Sequence, residues 1–161
     1  MLQYFFSKQR RSKNGTTPVF QEKACKDAQA SLSLHKALSH YHAVVKYSSY
    51  KKSFNIDVGS VSFSFETKSD GVYVSAAGSK PKLISNDRTL HNNVNVFSVV
   101  SKNNITQAYC NGSLIFTLPY LTHIASINGS IKNHQMHRCH QNNSSMSDKL
   151  YDLAITEYIV Q

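Results

Sequence analysis

The densest group of chemically capable side chains in this sequence is His134-x-x-His137-x-Cys139-His140. Neutral imidazole nitrogen and thiolate sulfur are the donors that Zn2+ and similar ions prefer. The spacing matches no standard zinc module, so folding would have to bring Cys110 or His123 near to complete a shell. The same stretch also reads as a polar loop with solvated histidines, or as a patch able to stack on RNA bases.

A second group is Asp57 with Glu66-x-Lys68. Strand alternation sends Glu66 and Lys68 to the polar face opposite Phe63 and Phe65. Two carboxylates can hold a divalent ion, and a neighbouring lysine can steady a phosphate or a water. Over these three positions the chain resembles the acid, then acid-x-lysine motif of restriction-type nucleases. It departs from that pattern at Val72 to Gly78, which is strand-like where the family continues into a helix. Cross-strand solvation of a sheet face is the ordinary use of such charges.

A third group, His40-Tyr41-His42 followed by Tyr47 and Tyr50, looks like the paired histidines and nucleophilic tyrosine of rolling-circle and transposase-type nucleases. That resemblance requires a strand at His40 to His42, because residues i and i+2 diverge by about 200° on a helix. No Ser/His/Asp arrangement can be assigned from spacing. No glycine-rich phosphate loop is present, since the six glycines fall in turns. Cys25, Cys110 and Cys139 are an odd number for a disulfide framework and read as buried or inert thiols in a reducing compartment.

The elements that must position these groups follow from periodicity. Ala24, Ala28, Leu34, Leu38, Tyr41 and Val45 recur at spacings of three and four or their sums, which predicts a helix from about Val19 to the mid-40s with Lys23, Lys26 and Lys36 on its outer side. From Phe54 the period changes to two. Ser60 to Glu66 alternates without a break, so Val61, Phe63 and Phe65 face inward. Ser69-Asp70-Gly71 predicts a turn into Val72 to Val74. Asn111-Gly112 and Asn128-Gly129 predict two more hairpins. Ser147 reads as the cap of a closing helix whose buried stripe is Leu150, Leu153, Ala154 and Tyr158. The expected fold class is α+β: an N-terminal helix, an antiparallel meander of about six or seven strands and a C-terminal helix. Residues 1–161 are expected to form a single domain, with 1–17 as a basic arm.

The 161 residues carry a formal net charge of +9. Residues 1–52 hold ten Lys and Arg against Glu22 and Asp27, a net +8, so nearly all of the excess lies in the first third. A field of that kind attracts polyanions. The leading expectation is therefore a small nucleic-acid-binding or accessory protein of little sequence preference, with Lys8, Arg10, Arg11, Lys13, Lys23 and Lys26 on the phosphates of DNA or RNA. The alternatives are a metal-dependent phosphodiester-cleaving enzyme, with Zn2+ or a similar ion, and an interaction module for an acidic protein partner. Apolar residues make up 40% of the chain, which excludes wholesale disorder. The basic residues follow the short apolar N-terminus instead of preceding a longer one, so a cytoplasmic, membrane-free location is expected.

Overall fold

The computed structural model describes residues 19–21, 28–131 and 149–158. Within them the chain forms β1 (Val19–Gln21), β2 (Ala28–Leu38), β3 (Tyr41–Ser48), β4 (Ser53–Val58), β5 (Val61–Lys68), β6 (Gly71–Ala76) and β7 (Lys82–Ser85). A single 3-10 turn (Leu90–Asn92) leads to β8 (Asn95–Lys102), β9 (Ile105–Cys110), β10 (Ser113–Leu118), β11 (Ile124–Ile131) and β12 (Lys149–Glu157). The strands build two sheets. One has seven strands in the order β1-β2-β11-β4-β5-β6-β7, the other five in the order β10-β9-β8-β3-β12.

The expected α+β architecture is corrected to an antiparallel β-sandwich, with no α-helix among the described residues. In place of the N-terminal helix stand β1, β2 and β3. In β3, Tyr41, Ala43, Val45 and Tyr47 are buried within 1% of full exclusion, at strict period two. Tyr41 and Val45 are also four apart, so the two residues noted as a helical face fit either period. The C-terminal helix is likewise a strand. Its pairing with β3 shifts between Leu150 and Asp152. This bulge lets Leu150 and Leu153 enter the same core at a spacing of three. Nor do the strands form one meander, because β2 and β3 are consecutive yet lie in different sheets.

The Ser69-Asp70 turn forms as expected, with Lys68 opposite Gly71. So does Asn111-Gly112, where φ is +52° and +84° and only residues tolerant of left-handed backbone serve well. The second predicted Asn-Gly turn does not form: Asn128 and Gly129 sit inside β11, opposite Ser31 and Ala30 of β2.

The core lies between the sheets and is built on rings. Phe54 and Phe65 stack at 4.9 Å, and Phe97 meets Phe63 and Phe65 edge-on at 4.7 and 5.5 Å. Because Phe63 and Phe65 belong to the seven-stranded sheet and Phe97 to the other, these contacts bind the two layers together. Gly71 closes one edge of this frame. A Cβ there would lie 2.3 Å from the Ser85 carbonyl oxygen and 2.8 Å from Leu83 Cδ1, at a φ of +154°. Gly71→Ala is expected to cost about 1–3 kcal/mol and to speed amide exchange in β7. Urea unfolding and hydrogen exchange test this, and unchanged values in both would refute the close approach.

Candidate functional site

The outer faces of the two sheets differ in chemistry. On the five-stranded sheet, Val44, Val96, Val100 and Tyr109 alternate with the core residues, while His42, Ala154 and Thr156 on the same side are buried. On the seven-stranded sheet, β4, β5 and β6 present Asn55, Asp57, Ser62, Ser64, Glu66, Tyr73 and Ser75, all exposed or half-buried. Period-two alternation sorts these side chains outward as Phe54, Ile56, Phe63, Phe65, Val72 and Val74 go in.

Strand register arranges this polar face in rows. Asp57 stands opposite Ser62, Asn55 opposite Ser64 and then Ser75, and Ser53 opposite Glu66, Tyr73 and Leu83 in turn. Asp57 accepts a 2.6 Å hydrogen bond from Ser62 Oγ. The hydroxyl and amide side chains are short, so the stripe between Asp57 and Tyr73 has low relief and is lined with groups that both donate and accept.

The ring at one end of the stripe is held in place. Tyr73 donates its phenol proton to Asp70 Oδ2 at 2.6 Å, and Lys68 Nζ lies 4.8 Å from the ring centroid. Lys68 Nζ is also 3.9 Å from Glu66 Oε1. Arg88 donates from Nε to the Lys68 carbonyl at 2.9 Å. Its loop is set by Asp87, whose Oδ1 accepts from Thr89 N at 2.9 Å and from Thr89 Oγ1 at 2.6 Å. Those two bonds hold the Asp87 carboxyl below its usual range. The hydrogen bond to Asp70, then slight burial, then the Asp70 charge raise the Tyr73 phenol, so it stays a neutral ring and donor. One cation, Lys68, therefore lies over the aromatic ring, and Arg88 is tied to the Lys68 backbone.

The Asp57 and Glu66 pair does not fit double-carboxylate hydrolysis. Glu66 lies four positions along β5 from Ser62, the partner of Asp57. At about 3.4 Å per residue that sets their backbone positions roughly 14 Å apart along the strands, against the roughly 5–9.5 Å between carboxylates that glycoside hydrolysis uses. The same separation dismantles the Asp57, Glu66 and Lys68 nuclease triplet. The paired-histidine reading fails for another reason: His42 faces out of β3 whereas Tyr47 is in the core, bonded to His91 Nδ1 at 2.6 Å. Cys110 is buried, and burial pushes its thiol up to about 11 although Tyr47 opposes the shift, so it is an inert thiol.

Lys8, Arg10, Arg11, Lys13, Lys23, Lys26, His134, His137, Cys139 and His140 lie outside the described residues. Among the described residues no group of three or more His, Cys, Asp or Glu side chains is placed to hold a metal ion, and no helix is long and apolar enough to cross a membrane. Tyr73 and Arg88 were missed in the sequence. For Tyr73 a signal existed, because a two-residue loop at Ser69-Asp70 already puts Tyr73 opposite Glu66.

No protein-family model matches the chain, and no curated protein matches it by sequence. Solved structures do resemble it. An alginate lyase, AlgAT5 of polysaccharide lyase family 7, is 12% identical with a TM-score of 0.53, over 92% of this chain and 84% of that one. The alginate lyase from Corynebacterium sp. is 16% identical (TM-score 0.48; 87% and 82% covered), and the carbohydrate-binding module CBM66 from Bacillus subtilis is 7% identical (TM-score 0.46; 89% and 93% covered). These findings correct the expectation of a nucleic-acid binder and of an acidic-protein module. Where it is described, the segment that was to be the basic helix is a set of strands, and the fold it belongs to resembles that of an alginate lyase. What the chain shares with the alginate lyase of polysaccharide lyase family 7 is its fold, the two-sheet antiparallel sandwich.

Proposed function

We propose that this protein binds an acidic polysaccharide along the outer face of its seven-stranded sheet. The observation that carries the reading is the Tyr73 ring, braced by Asp70 with Lys68 over it, at the end of a stripe of hydroxyl, amide and carboxylate side chains. An aromatic face takes the C–H side of a sugar ring, the stripe pairs with sugar hydroxyls, and Lys68 answers a sugar carboxylate. The alginate lyase of similar fold acts on a polyuronate, which supports the choice of ligand class.

Titration calorimetry with soluble alginate, pectate and neutral dextran tests the reading. Binding of the polyuronates should exceed that of dextran and weaken with added salt. Tyr73→Ala should weaken it about tenfold, while Tyr73→Phe keeps most of the affinity. Equal affinity of the wild type and Tyr73→Ala for alginate would sink the idea.

A further inference from the structure

The outer face of the five-stranded sheet departs from the polar side that a solvated antiparallel sheet turns to water. Its middle row, in register through all five strands, reads Ala154, Val44, Ser98, Tyr109 and Leu114. Val96 and Val100 flank Ser98 on the same side of β8. Leu114 is 51% exposed and Val96 37%. Tyr109 donates its phenol proton to Gln107 Oε1 at 3.1 Å, so its polar end is satisfied within the face. Exposed Val94 precedes Val96 by two residues, and exposed Tyr151 stands beside the β12 bulge, its phenol oxygen 3.3 Å from Ser48 Oγ. Four of the six large apolar side chains exposed among the described residues thus gather here. Charge is kept to the margin: Lys46 stands opposite Asp152, and Lys102, the last residue of β8, lies over the Tyr158 ring. An apolar centre with a charged margin is the anatomy of a protein interface.

We propose that this face packs against the same face of a second copy, in a two-fold symmetric dimer that leaves both seven-stranded sheets outward. The face needs a partner that is equally flat, apolar and uncharged at its centre, and the chain itself presents one. β8 is the middle strand of the five. A two-fold axis along β8 brings Val96 and Val100 onto their counterparts and exchanges β3 with β9, so that Val44 meets Tyr109 of the second copy. The same rotation sets Lys46 over the β9 side and away from its own counterpart, so these like charges do not oppose each other. His42, Ala154 and Thr156 are already buried, which leaves β3, β8, β9 and β10 to supply the open area. At about 4.8 Å per strand and about 3.4 Å per residue that area is roughly 19 by 27 Å, on the order of 500 Å2 per copy and 1,000 Å2 in the dimer, the size a specific interface must reach. The dimer also gives the polysaccharide reading, on which this one consequence rests, two Tyr73 stripes facing opposite ways, able to join two polymer chains.

Sedimentation velocity of the full chain without saccharide, from about 1 to 200 µM, tests the proposal. A monomer–dimer equilibrium should appear with a Kd of about 1–50 µM, as suits an interface of this modest size. Val96→Lys and Leu114→Lys should each weaken it at least about tenfold, by placing a charge in the apolar centre. Val96 is the decisive position, because it lies on the middle strand and takes no part in edge-to-edge pairing through β10. A urea midpoint near that of the wild type shows that a variant is folded. Should a variant lose its fold, amide shifts of the wild type that change with concentration at Val44, Val96, Val100 and Leu114 give the same answer. Tyr73→Ala should dimerise as the wild type does. A monomer throughout the range overturns the proposal, as does a dimer that ignores both lysine substitutions or shifts only the edges at β7 and β10. If the dimer forms and alginate does not bind, the polysaccharide reading fails and the dimer stands.

Discussion

Between pH 7 and pH 4 the protein should lose about 3 kcal/mol of stability for each of two buried histidines, a large share of the roughly 5–15 kcal/mol that holds a domain folded. Burial lowers His91 to about 4, and burial with the Lys102 charge lowers His42 to about 4, against 6.5 for each when unfolded. Across that window the unfolded chain binds more protons than the folded one, so stability rises with pH and is regained above about 6.5. His91 is the clearer case. It is 3% exposed, the edges of Phe54 and Phe65 meet it at 5.0 and 5.2 Å, and Nε2 has no hydrogen-bond partner among the described residues. A charge placed there would be stranded among rings. Urea midpoints at pH 7, 5.5 and 4 measure the loss. His91→Gln keeps an amide able to bond Tyr47 and should flatten the profile by about half. A midpoint that does not move between pH 6.5 and 4 would refute the assignment.

Phe65→Ala should cost about 3–5 kcal/mol, because the ring is lost and the cavity it leaves cannot close. Phe65 is 1% exposed and touches Phe54, Phe97, Tyr47 and His91, so its removal opens a gap on both sides of the inter-sheet layer. Phe65→Leu, which keeps much of the volume, should cost clearly less. Unfolding in urea with an unchanged slope would report the difference. A loss under about 1 kcal/mol for the alanine variant would mean that the ring cluster does not join the sheets as described.

The variation in what could be read from sequence has identifiable causes. Ser60 to Glu66 announced β5 because that strand buries one face and wets the other, which writes the period into the residue types. The segment at β12 announced a helix because its burial breaks the period. A bulge shifts phase after Leu150, and Ala154 and Thr156 are buried on the opposite side from Leu153 and Ile155. Asn128-Gly129 carries the residue types of a turn yet lies in a strand paired with β2 and, at Asn128, with Asp57 of β4. Local preference yielded there to the hydrogen bonds of the sheet.

The candidate sites divide in the same way. Glu66, Lys68, Asp70 and Tyr73 come together through a two-residue loop, and alternation plus that loop suffices to place them on one face. Arg88, bonded to the Lys68 carbonyl twenty residues away, has no such local signature. The sequence by itself determined the inward and outward faces of β4 to β6 and the hairpins at Ser69-Asp70 and Asn111-Gly112, because side-chain direction and tight turns depend on neighbouring residues alone. Only the tertiary structure decided that β2 and β3 part into different sheets, that Leu153 of β12 pairs with Val45 of β3, and that Glu157 pairs with Tyr41. Those outcomes rest on burying two apolar sheet faces against each other, a choice made among distant segments that no short window of residues records.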